Sequence, residues 1–348
     1  MEWETDRSLQ LRMLLTLALI AVLPLAFTFT MAAAINHVII PLAESLSETR
    51  YSTISFDPLI VFALTLVGLV LAYIKGGDVA LGSTDARVVS ESEAPELHAR
   101  VNRLAATADM PVPDVAIAPS PVPNAFATGR TLEDGTVVVT SSLRETLADE
   151  ELDAVLAHEL AHIRNRDAAV MSIAYLLPTF TYVVSTITYK ALRVFLRGLG
   201  RVRTGGRRDG RAVAVIIVLL VVTAVVTITI SAIFWAASLL LFRLLSQYRE
   251  FAADRGGAAI TGDPLALAAA LETIDGEMEA LPDQDLRDLD GGAEALYISS
   301  LNLPMFNDGD EDEDVDIGLV SQDLFPESHP PTSTRIEQLR ELASDLES

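Results

Sequence analysis

The sequence contains no cysteine, few histidines and very few lysines. The lack of cysteine excludes disulfide bonds and zinc sites with thiolate ligands, and it leaves the redox compartment open. Histidine occurs five times in 348 residues, and two lysines stand beside 23 arginines. Any metal site must therefore be built from a small set of imidazoles together with carboxylates.

The charge balance is strongly acidic, with a formal net charge of −23 at pH 7. An acidic surface that is poor in lysine suits high salt, where the repulsion between like charges is screened. We therefore expect a halophilic environment. Nucleic acid is not expected as a partner, because its recognition depends on a basic surface.

Four long apolar runs contain no charged residue. A helix needs about 20 residues to cross a bilayer, so runs of this length are candidate transmembrane helices. The runs are residues 13–34, 58–74, 168–189 and 212–242. The first is longer than the roughly 7–15 apolar residues of a secretory signal, so we interpret it as a retained anchor. The last would be about 46 Å long as a helix, which exceeds a hydrocarbon core of about 30 Å. The pattern predicts a mainly α integral membrane protein with about four transmembrane helices.

The remaining sequence is soluble in character and lies in two separate parts. The expected organisation is two transmembrane helices in 1–74, half of a soluble domain in 75–167, a transmembrane hairpin with the basic loop 190–211 in 168–242, and the second half of the soluble domain in 243–348. The second half contains the acidic segment "DGDEDEDVD" at 308–316. We interpret this segment as a solvated loop, with calcium binding as the alternative.

The first soluble part contains both helical and strand patterns. Residues 93–110 have the apolar spacing of a helix, and the proline-rich residues 111–130 alternate like short strands and turns. Asp134-Gly135 precedes a β-branched run and predicts a hairpin. A strongly helical stretch follows, and we expect Asp149 to cap it.

That last helix carries the sequence H-E-x-x-H at residues 158–162. Residues four apart lie on one helical face, so His158 and His162 can present two imidazoles to one ion. Glu159 is turned away from them by about 100°, which makes it a poor third ligand but a possible base for a water on that ion. This pattern is typical of a zinc site with two histidine ligands and a catalytic glutamate.

A catalytic zinc needs a third protein ligand. His37, in a predicted loop after the first run, lies far from this helix along the chain, and His98 and His329 are the other histidines. Glu250 and Asp254 are four residues apart, just after the fourth run. They fit a ligand and a hydrogen-bond partner for a ligand imidazole, although the spacing alone equally fits an ordinary acidic helix face.

Several segments together resemble the HtpX-type membrane zinc metalloproteases, which are relatives of the CAAX prenyl endopeptidases. They are "PNAFATGR" (123–130), "ELDAVLAHELAHIRNRD" (151–167), "REFAAD" (249–254), "EALYI" (294–298) and "HPPTSTRIEQL" (329–339). Two departures are the acidic segment 308–316 and Gln247, where the family usually has a basic residue.

The resemblance implies an α+β gluzincin-type protease domain with a small β-sheet and one Zn²⁺ per chain. It also implies His158, His162 and Glu250 as ligands and Glu159 as the base in peptide hydrolysis. Asp254 would hydrogen-bond to a ligand imidazole.

Other residues are candidates for secondary roles, and the resemblance implies those of His329 and of the edge strand. His329 would stabilise the oxyanion, or it would only help the prolines turn the chain. Arg335 would anchor the C-terminal tail by pairing with Asp254 or another acid. Asn124, Ala125 and Ala127 would hold the substrate as an added strand, or they would form a plain sheet edge.

The placement of the motifs between apolar runs suggests where the enzyme works. The zinc residues flank the third and fourth runs, so the expected substrates are membrane polypeptides. The resemblance implies misfolded proteins as well, with a role in quality control and stress response. The resemblance implies a cytoplasmic catalytic domain in a multi-pass cell-membrane protein, whereas the basic loop 190–211 favours the opposite orientation. The alternative functions are a catalytically silent membrane scaffold or a transporter; the oligomeric state stays open.

Overall fold

The computed structural model describes residues 7–47, 50–55, 57–75, 86–129, 131–174, 176–199, 207–280 and 330–347. These residues are mainly helical and include one four-stranded sheet. His329 and the acidic segment 308–316 lie outside the described residues, and so do residues 200–206 of the basic loop. The mainly α character with a small sheet confirms that part of the predicted fold class, and the four transmembrane helices stay a prediction.

Eleven helices and four strands are described in chain order. The helices are α1 (Arg7–Ala34), α2 (Ile40–Ser47), α3 (Pro58–Lys75), α4 (Pro95–Thr107), α5 (Ser141–Thr146), α6 (Asp149–Asn165), α7 (Asp167–Ala174), α8 (Leu176–Leu199), α9 (Arg207–Thr261), α10 (Pro264–Ala280) and α11 (Thr332–Glu347). The strands are β1 (Arg87–Val88), β2 (Asp114–Ala118), β3 (Ala125–Thr128) and β4 (Thr136–Thr140). A π-helical segment, Ile35–Ile39, joins α1 to α2.

The chain forms two compact units. The first comprises the described residues within Met1–Leu15, Ala72–Ile173 and Arg243–Ser348. The second comprises those within Thr16–Leu71 and Ala174–Phe242.

The sheet of the first unit has the order β1-β2-β4-β3. β4 is its central strand, parallel to β2 and antiparallel to β3, and β1 is antiparallel to β2. All five residues of β4 are buried, which explains its run of β-branched residues. Asp134 and Gly135 lie in the turn between β3 and β4, so the predicted hairpin is correct.

One apolar core joins this sheet to the helices. Val137 and Val139 of β4 pack with Leu156 and Leu160 of α6, and Leu339 of α11 belongs to the same cluster. Full burial of an aliphatic side chain contributes about 1.5–3 kcal/mol. The core therefore fixes α6, the helix that carries H-E-x-x-H, between the sheet and the neighbouring helices.

The start of α6 differs from the prediction by one residue. The N-cap is Ala148, and Asp149 is the first helical residue. Glu151 performs the capping instead, because the Ala148 N–H donates to its Oε2 at 3.0 Å. The acidic first turn, Asp149 to Glu151, remains favourable for the helix dipole as expected.

The second unit consists of apolar helices. The ring of Phe27 in α1 makes edge-to-face contacts with Phe180 of α8 and Phe234 of α9, at centroid distances of 5.7 and 5.4 Å. Among the described residues, two helical stretches are long and apolar enough to cross a membrane, Leu11–Leu46 and Val213–Thr261. In the most apolar windows of these stretches only 17% and 6% of residues are buried, so their apolar side chains face outward.

The described helices refine the predictions for the apolar runs in one detail. The first helical stretch does not end at Ala34 but continues through the π-helical segment to Ser47, so His37 lies in a helix and not in a loop. In the third run the structure describes α7, which ends at Ala174, and α8, which begins at Leu176. The runs 58–74 and 168–189 form helices in the described residues, and their passage through a membrane remains a prediction.

Candidate metal centre

Helix α6 presents two imidazoles to one point. The Nε2 atoms of His158 and His162 are 3.0 Å apart. The two rings are nearly perpendicular, at 88°, with their centroids 4.6 Å apart. This convergence follows from the four-residue spacing, which stacks the side chains on successive turns of one face.

Helix α9 brings Glu250 to the same point. Its Oε2 lies 3.5 Å from His158 Nε2, and its Oε1 lies 3.6 Å from His162 Nε2. One ligand atom from each residue lies within 4.8 Å of the others. Glu250 is only 1% exposed, so a plain solvated acidic face does not describe it.

The geometry and chemistry of these three residues fit zinc. Tetrahedral zinc with bonds of about 2.0–2.1 Å holds its ligand atoms about 3.3 Å apart, and the measured separations bracket that value. The Nδ1 atoms of both rings lie beside carboxylates, at 2.6 Å for His162 and 3.0 Å for His158. When Nδ1 carries the proton, Nε2 offers a lone pair, so two lone pairs and a carboxylate converge on one point that a cation would occupy.

Buried charged side chains cluster around the two histidines and Glu250. Among the described residues, every buried aspartate, glutamate and arginine belongs to this centre or touches it: Glu159, Asp167, Arg249, Glu250, Asp254 and Arg335. Four carboxylates and two guanidinium groups give a formal net charge of about −2, which one divalent cation would neutralise. Buried charges are expensive unless they are paired or bind a metal, so a divalent ion agrees with the side chains present.

The approach of α9 to α6 depends on Gly257. A Cβ atom built at Gly257 would lie 3.0 Å from the backbone nitrogen of His158 and 3.1 Å from its Cα. Gly257 lies seven residues after Glu250, which is about two helical turns and the same face. A Cβ atom at this position would require α9 or α6 to shift by a few tenths of an ångström, so glycine suits this close approach.

Asp254 and Arg335 form a buried pair beside His158. Arg335 donates from Nε to Asp254 Oδ2 at 2.9 Å and from Nη2 to Asp254 Oδ1 at 2.5 Å. Asp254 Oδ1 lies 3.0 Å from His158 Nδ1, at ion-pair distance but off the line of a good hydrogen bond. Arg335 Nη1 also lies 3.5 Å from Glu250 Oε2. The structure thus contains the ion pair of Arg335 with Asp254 that the sequence suggested.

The carboxylates make the centre attractive to positive charge. Burial, the largest influence on His158, lowers its pKa, but Asp254 and Glu250 outweigh burial and raise the pKa to about 9. Burial also acts first on Asp254 and raises its pKa, while Arg335 and His158 reverse the shift and leave the pKa lowered. Without a metal ion the centre favours a proton on His158, and a bound cation would replace that proton.

Glu159 and Arg249 complete the surroundings. Glu159 is 7% exposed, and its charge is one of those that raise the pKa of Arg335 against the larger, opposing effect of burial. Arg249 donates from Nη2 to Glu250 Oε1 at 2.8 Å. Glu250 therefore has a guanidinium near each of its carboxylate oxygens, which fixes the orientation of the carboxylate.

The edge strand β3 has the arrangement expected of a peptide-binding strand. Among the described residues it has a strand neighbour, β4, on one side only, and α6 packs against it. The Thr140 N–H donates to the Asn124 carbonyl at 2.9 Å. Because bonded and non-bonded residues alternate in an antiparallel pair, Ala125 and Ala127 turn their N–H and C=O groups away from β4.

Two further histidines were candidates in the sequence. His329 lies outside the described residues. His98 Nε2 is 3.0 Å from the carbonyl oxygen of Val89. This contact lies within the first unit and stabilises the fold. Sequence reasoning missed three features of the centre, namely Asp167, Arg249 and the close approach at Gly257. For Asp167 no helical spacing gave a signal, because it lies five residues after His162.

The chain is similar to several known proteins. The family model "Peptidase family M48" matches residues 91–343. "Protease HtpX homolog 2" of Methanosarcina mazei is 36% identical over 99% of both chains, and its namesake of Methanosarcina acetivorans is 38% identical over 99% of both. "Protease HtpX homolog" of Moorella thermoacetica is 37% identical over 99% of this chain and 97% of its own. The crystal structure of S. mikatae Ste24p is 16% identical, with a TM-score of 0.45 over 91% of this chain and 65% of that one.

Proposed function

The chain belongs to peptidase family M48, and from that premise we propose that His158, His162 and Glu250 hold the zinc of an HtpX-like endopeptidase. The membership itself makes the protein a membrane metalloprotease that uses zinc and cleaves polypeptides. The observation that carries the assignment of the ligands is the convergence of their three ligand atoms within 4.8 Å.

When bound, zinc supplies the Lewis acidity that polarises the scissile carbonyl and makes a water molecule acidic enough to attack near neutral pH. The residues of the chain supply the remaining steps. Asp254 orients His158, and Arg335 holds Asp254 through two hydrogen bonds. Arg249 fixes Glu250. A rigid set of side chains keeps the reacting groups in productive geometry without reorganisation.

Glu159 is the general base in this proposal. It takes a proton from the attacking water and delivers it to the leaving amine. Two features support this role: its position directly after His158 in H-E-x-x-H, and its burial beside the metal ligands. A buried carboxylate next to a metal site can exchange protons within a space that excludes bulk water.

His329 remains our candidate for stabilising the substrate carbonyl oxygen as it gains charge. Support comes from Arg335, six residues further on, which lies 3.5 Å from Glu250 Oε2. Six residues span at most about 20 Å, so the chain length permits His329 to reach the centre. An imidazole within hydrogen-bond reach of that oxygen would donate to it.

The substrate is proposed to bind along β3 as an added antiparallel strand. The outward N–H and C=O groups of Ala125 and Ala127 would pair with its backbone, and Asn124 would contact it at the start of the strand. Main-chain pairing makes few demands on substrate sequence. Such tolerance suits an enzyme that removes misfolded proteins.

Membrane polypeptides are the proposed substrates. His162 lies six residues before the third apolar run, and Glu250 lies eight residues after the fourth. The two apolar runs thus separate the halves of one metal site along the chain, which supports a hairpin that returns the chain to the same side. We also propose four spans, with the domain organisation expected from the sequence.

We propose a cytoplasmic catalytic domain. A tag at the C-terminus, close to α11, should resist added protease in intact cells and become sensitive once the membrane is permeabilised. A tag at the basic loop 190–211 should behave in the same way only if that loop is also cytoplasmic. Digestion of the C-terminal tag in intact cells would reverse the proposed orientation.

Removal of the metal tests the proposed function. The full-length protein, purified in detergent, should contain one zinc per chain and digest casein. A chelator should abolish the digestion, and one equivalent of zinc should restore it, because the ligand set has no other source of Lewis acidity. Casein digestion that survives complete loss of zinc would refute a zinc-dependent mechanism.

A further inference from the structure

The imidazole of His162 has a carboxylate partner of its own. Its Nδ1 lies 2.6 Å from Asp167 Oδ2. Asp167 is 2% exposed, so water does not compete for this contact. A short contact between an imidazole nitrogen and a buried carboxylate is a strong, charge-assisted hydrogen bond.

The backbone between the two residues is shaped to make this contact. An uninterrupted helix would rotate residue 167 by about 140° from residue 162. Arg166 instead adopts a left-handed conformation, φ 57° and ψ 40°, at the end of α6. This conformation is disfavoured for a residue with a side chain. It ends α6 and starts α7 at Asp167, which brings the carboxylate back to His162.

We propose that Asp167 is the positioning residue of His162, which selects the tautomer and ring orientation that direct Nε2 to the metal. The proposal rests on the proposed function, since it concerns the same zinc. Asp167 accepts the proton of Nδ1, and Nε2 is thereby left with the lone pair that a metal requires.

Asp167 and Asp254 then perform parallel tasks from different parts of the chain. Asp254 comes from α9, lies beside His158 and is held by Arg335. Asp167 begins α7 and lies beside His162. The two carboxylates approach rings that are nearly perpendicular to each other. Asp167 hydrogen-bonds to the His162 ring, Asp254 lies at ion-pair distance from the His158 ring, and the two Nε2 atoms meet at one point.

The experiment measures zinc affinity and not only activity. Full-length protein in detergent is stripped of metal, and zinc binding is measured by competition with a chromophoric chelator. Loss of a hydrogen-bond partner of this kind typically weakens metal binding by about 10–100-fold. We expect Asp167→Ala to weaken zinc binding by about that range, and Asp167→Asn to weaken it by about 10-fold, since the amide keeps the size and an acceptor but loses the charge.

Control measurements separate positioning from folding. Asp114→Ala removes an exposed aspartate at the start of β2 and should leave zinc affinity unchanged. Thermal unfolding of the metal-free proteins shows whether a variant is folded; if Asp167→Ala is not, the isosteric Asp167→Asn decides the question. Cobalt in place of zinc should give an altered visible spectrum in a folded Asp167 variant, because one imidazole has lost its fixed orientation.

The outcomes are distinct. We expect Asp167→Asn to bind zinc about 10-fold more weakly than the wild type. If the wild type binds zinc tightly and Asp167→Asn binds it within about twofold of that affinity, the proposed role of Asp167 is wrong. A wild-type protein that binds no zinc would instead refute the proposed function. Weaker binding in the Asp167 variants, with Asp114→Ala unchanged, is the expected result.

Discussion

Replacement of Glu159 by glutamine is expected to reduce peptide hydrolysis by about 10²–10⁴-fold, which is the usual contribution of a general base. The amide has nearly the same size, so the buried side chain still fits, but it cannot accept a proton from water. The ligands His158, His162 and Glu250 are untouched, and zinc content should remain at one per chain. The measurement is the rate of casein digestion, with zinc determined on the same sample.

The matched control is Glu150→Gln, an exposed glutamate in the first turn of the same helix. It makes the same chemical change at a distance from the metal centre and should keep the wild-type rate. Wild-type cleavage by a zinc-loaded Glu159→Gln protein would remove Glu159 from the mechanism. Loss of zinc together with activity would show that Glu159 supports the metal site and leave its role as base unsupported.

Replacement of Glu250 by alanine is expected to weaken zinc binding by more than the roughly 10–100-fold that follows the loss of an outer partner. Two imidazoles alone leave the metal exposed to competition from water and chelators. The carboxylate also separates Arg249 from Arg335, which lie 2.8 and 3.5 Å from its oxygens. Metal analysis after dialysis should therefore find far less than one zinc per chain.

Two further variants make the test of Glu250 specific. Glu250→Gln keeps the shape of the side chain and limits the disturbance of the arginines, so a loss of zinc in this variant reflects the missing charge. Glu277→Ala removes an exposed glutamate of α10 and should retain zinc. Full zinc content in both Glu250 variants would mean that another residue is the third ligand.

Local sequence patterns predicted much of the fold, because helices and turns depend on interactions between residues that are close in the sequence. The apolar spacing of residues 93–110 gave α4, and Asp134-Gly135 gave the turn between β3 and β4. The four-residue spacing of His158 and His162 was enough to place both on one face of α6. In each case the deciding forces act within one or two turns of the chain, so no tertiary information was needed.

The pairing of distant segments needed more than periodicity. The spacing of Glu250 and Asp254 left an ordinary acidic face open, and the resemblance to a family favoured a metal ligand. The structure adds a physical reason, since α9 approaches α6 so closely at Gly257 that an added Cβ atom would lie 3.0 Å from the backbone nitrogen of His158. The ion pair of Asp254 with Arg335 spans 81 residues of sequence, and the sequence had left Asp254 or another acid open as the partner of Arg335.

Other features could not be read from the sequence because they depend on backbone conformations that the pattern hides. Asp167 reaches His162 only because Arg166 is left-handed, and an arginine gives no signal for that conformation in the way that glycine does. The first helical stretch continues beyond Ala34 through a π-helical segment. The apolar composition there did not show where the helix ends. The predicted N-cap of α6 was wrong by one residue, because several neighbouring residues could have begun that helix.

The central claim is that one zinc is held by two residues of α6 and one of α9. The most direct measurement is an anomalous difference map, recorded at the zinc absorption edge from crystals of the full-length protein. It should show one peak per chain, about 2.0–2.2 Å from His158 Nε2, His162 Nε2 and a carboxylate oxygen of Glu250. A peak bound to other residues, or a Glu250 carboxylate well beyond bonding distance from the peak, would contradict the account.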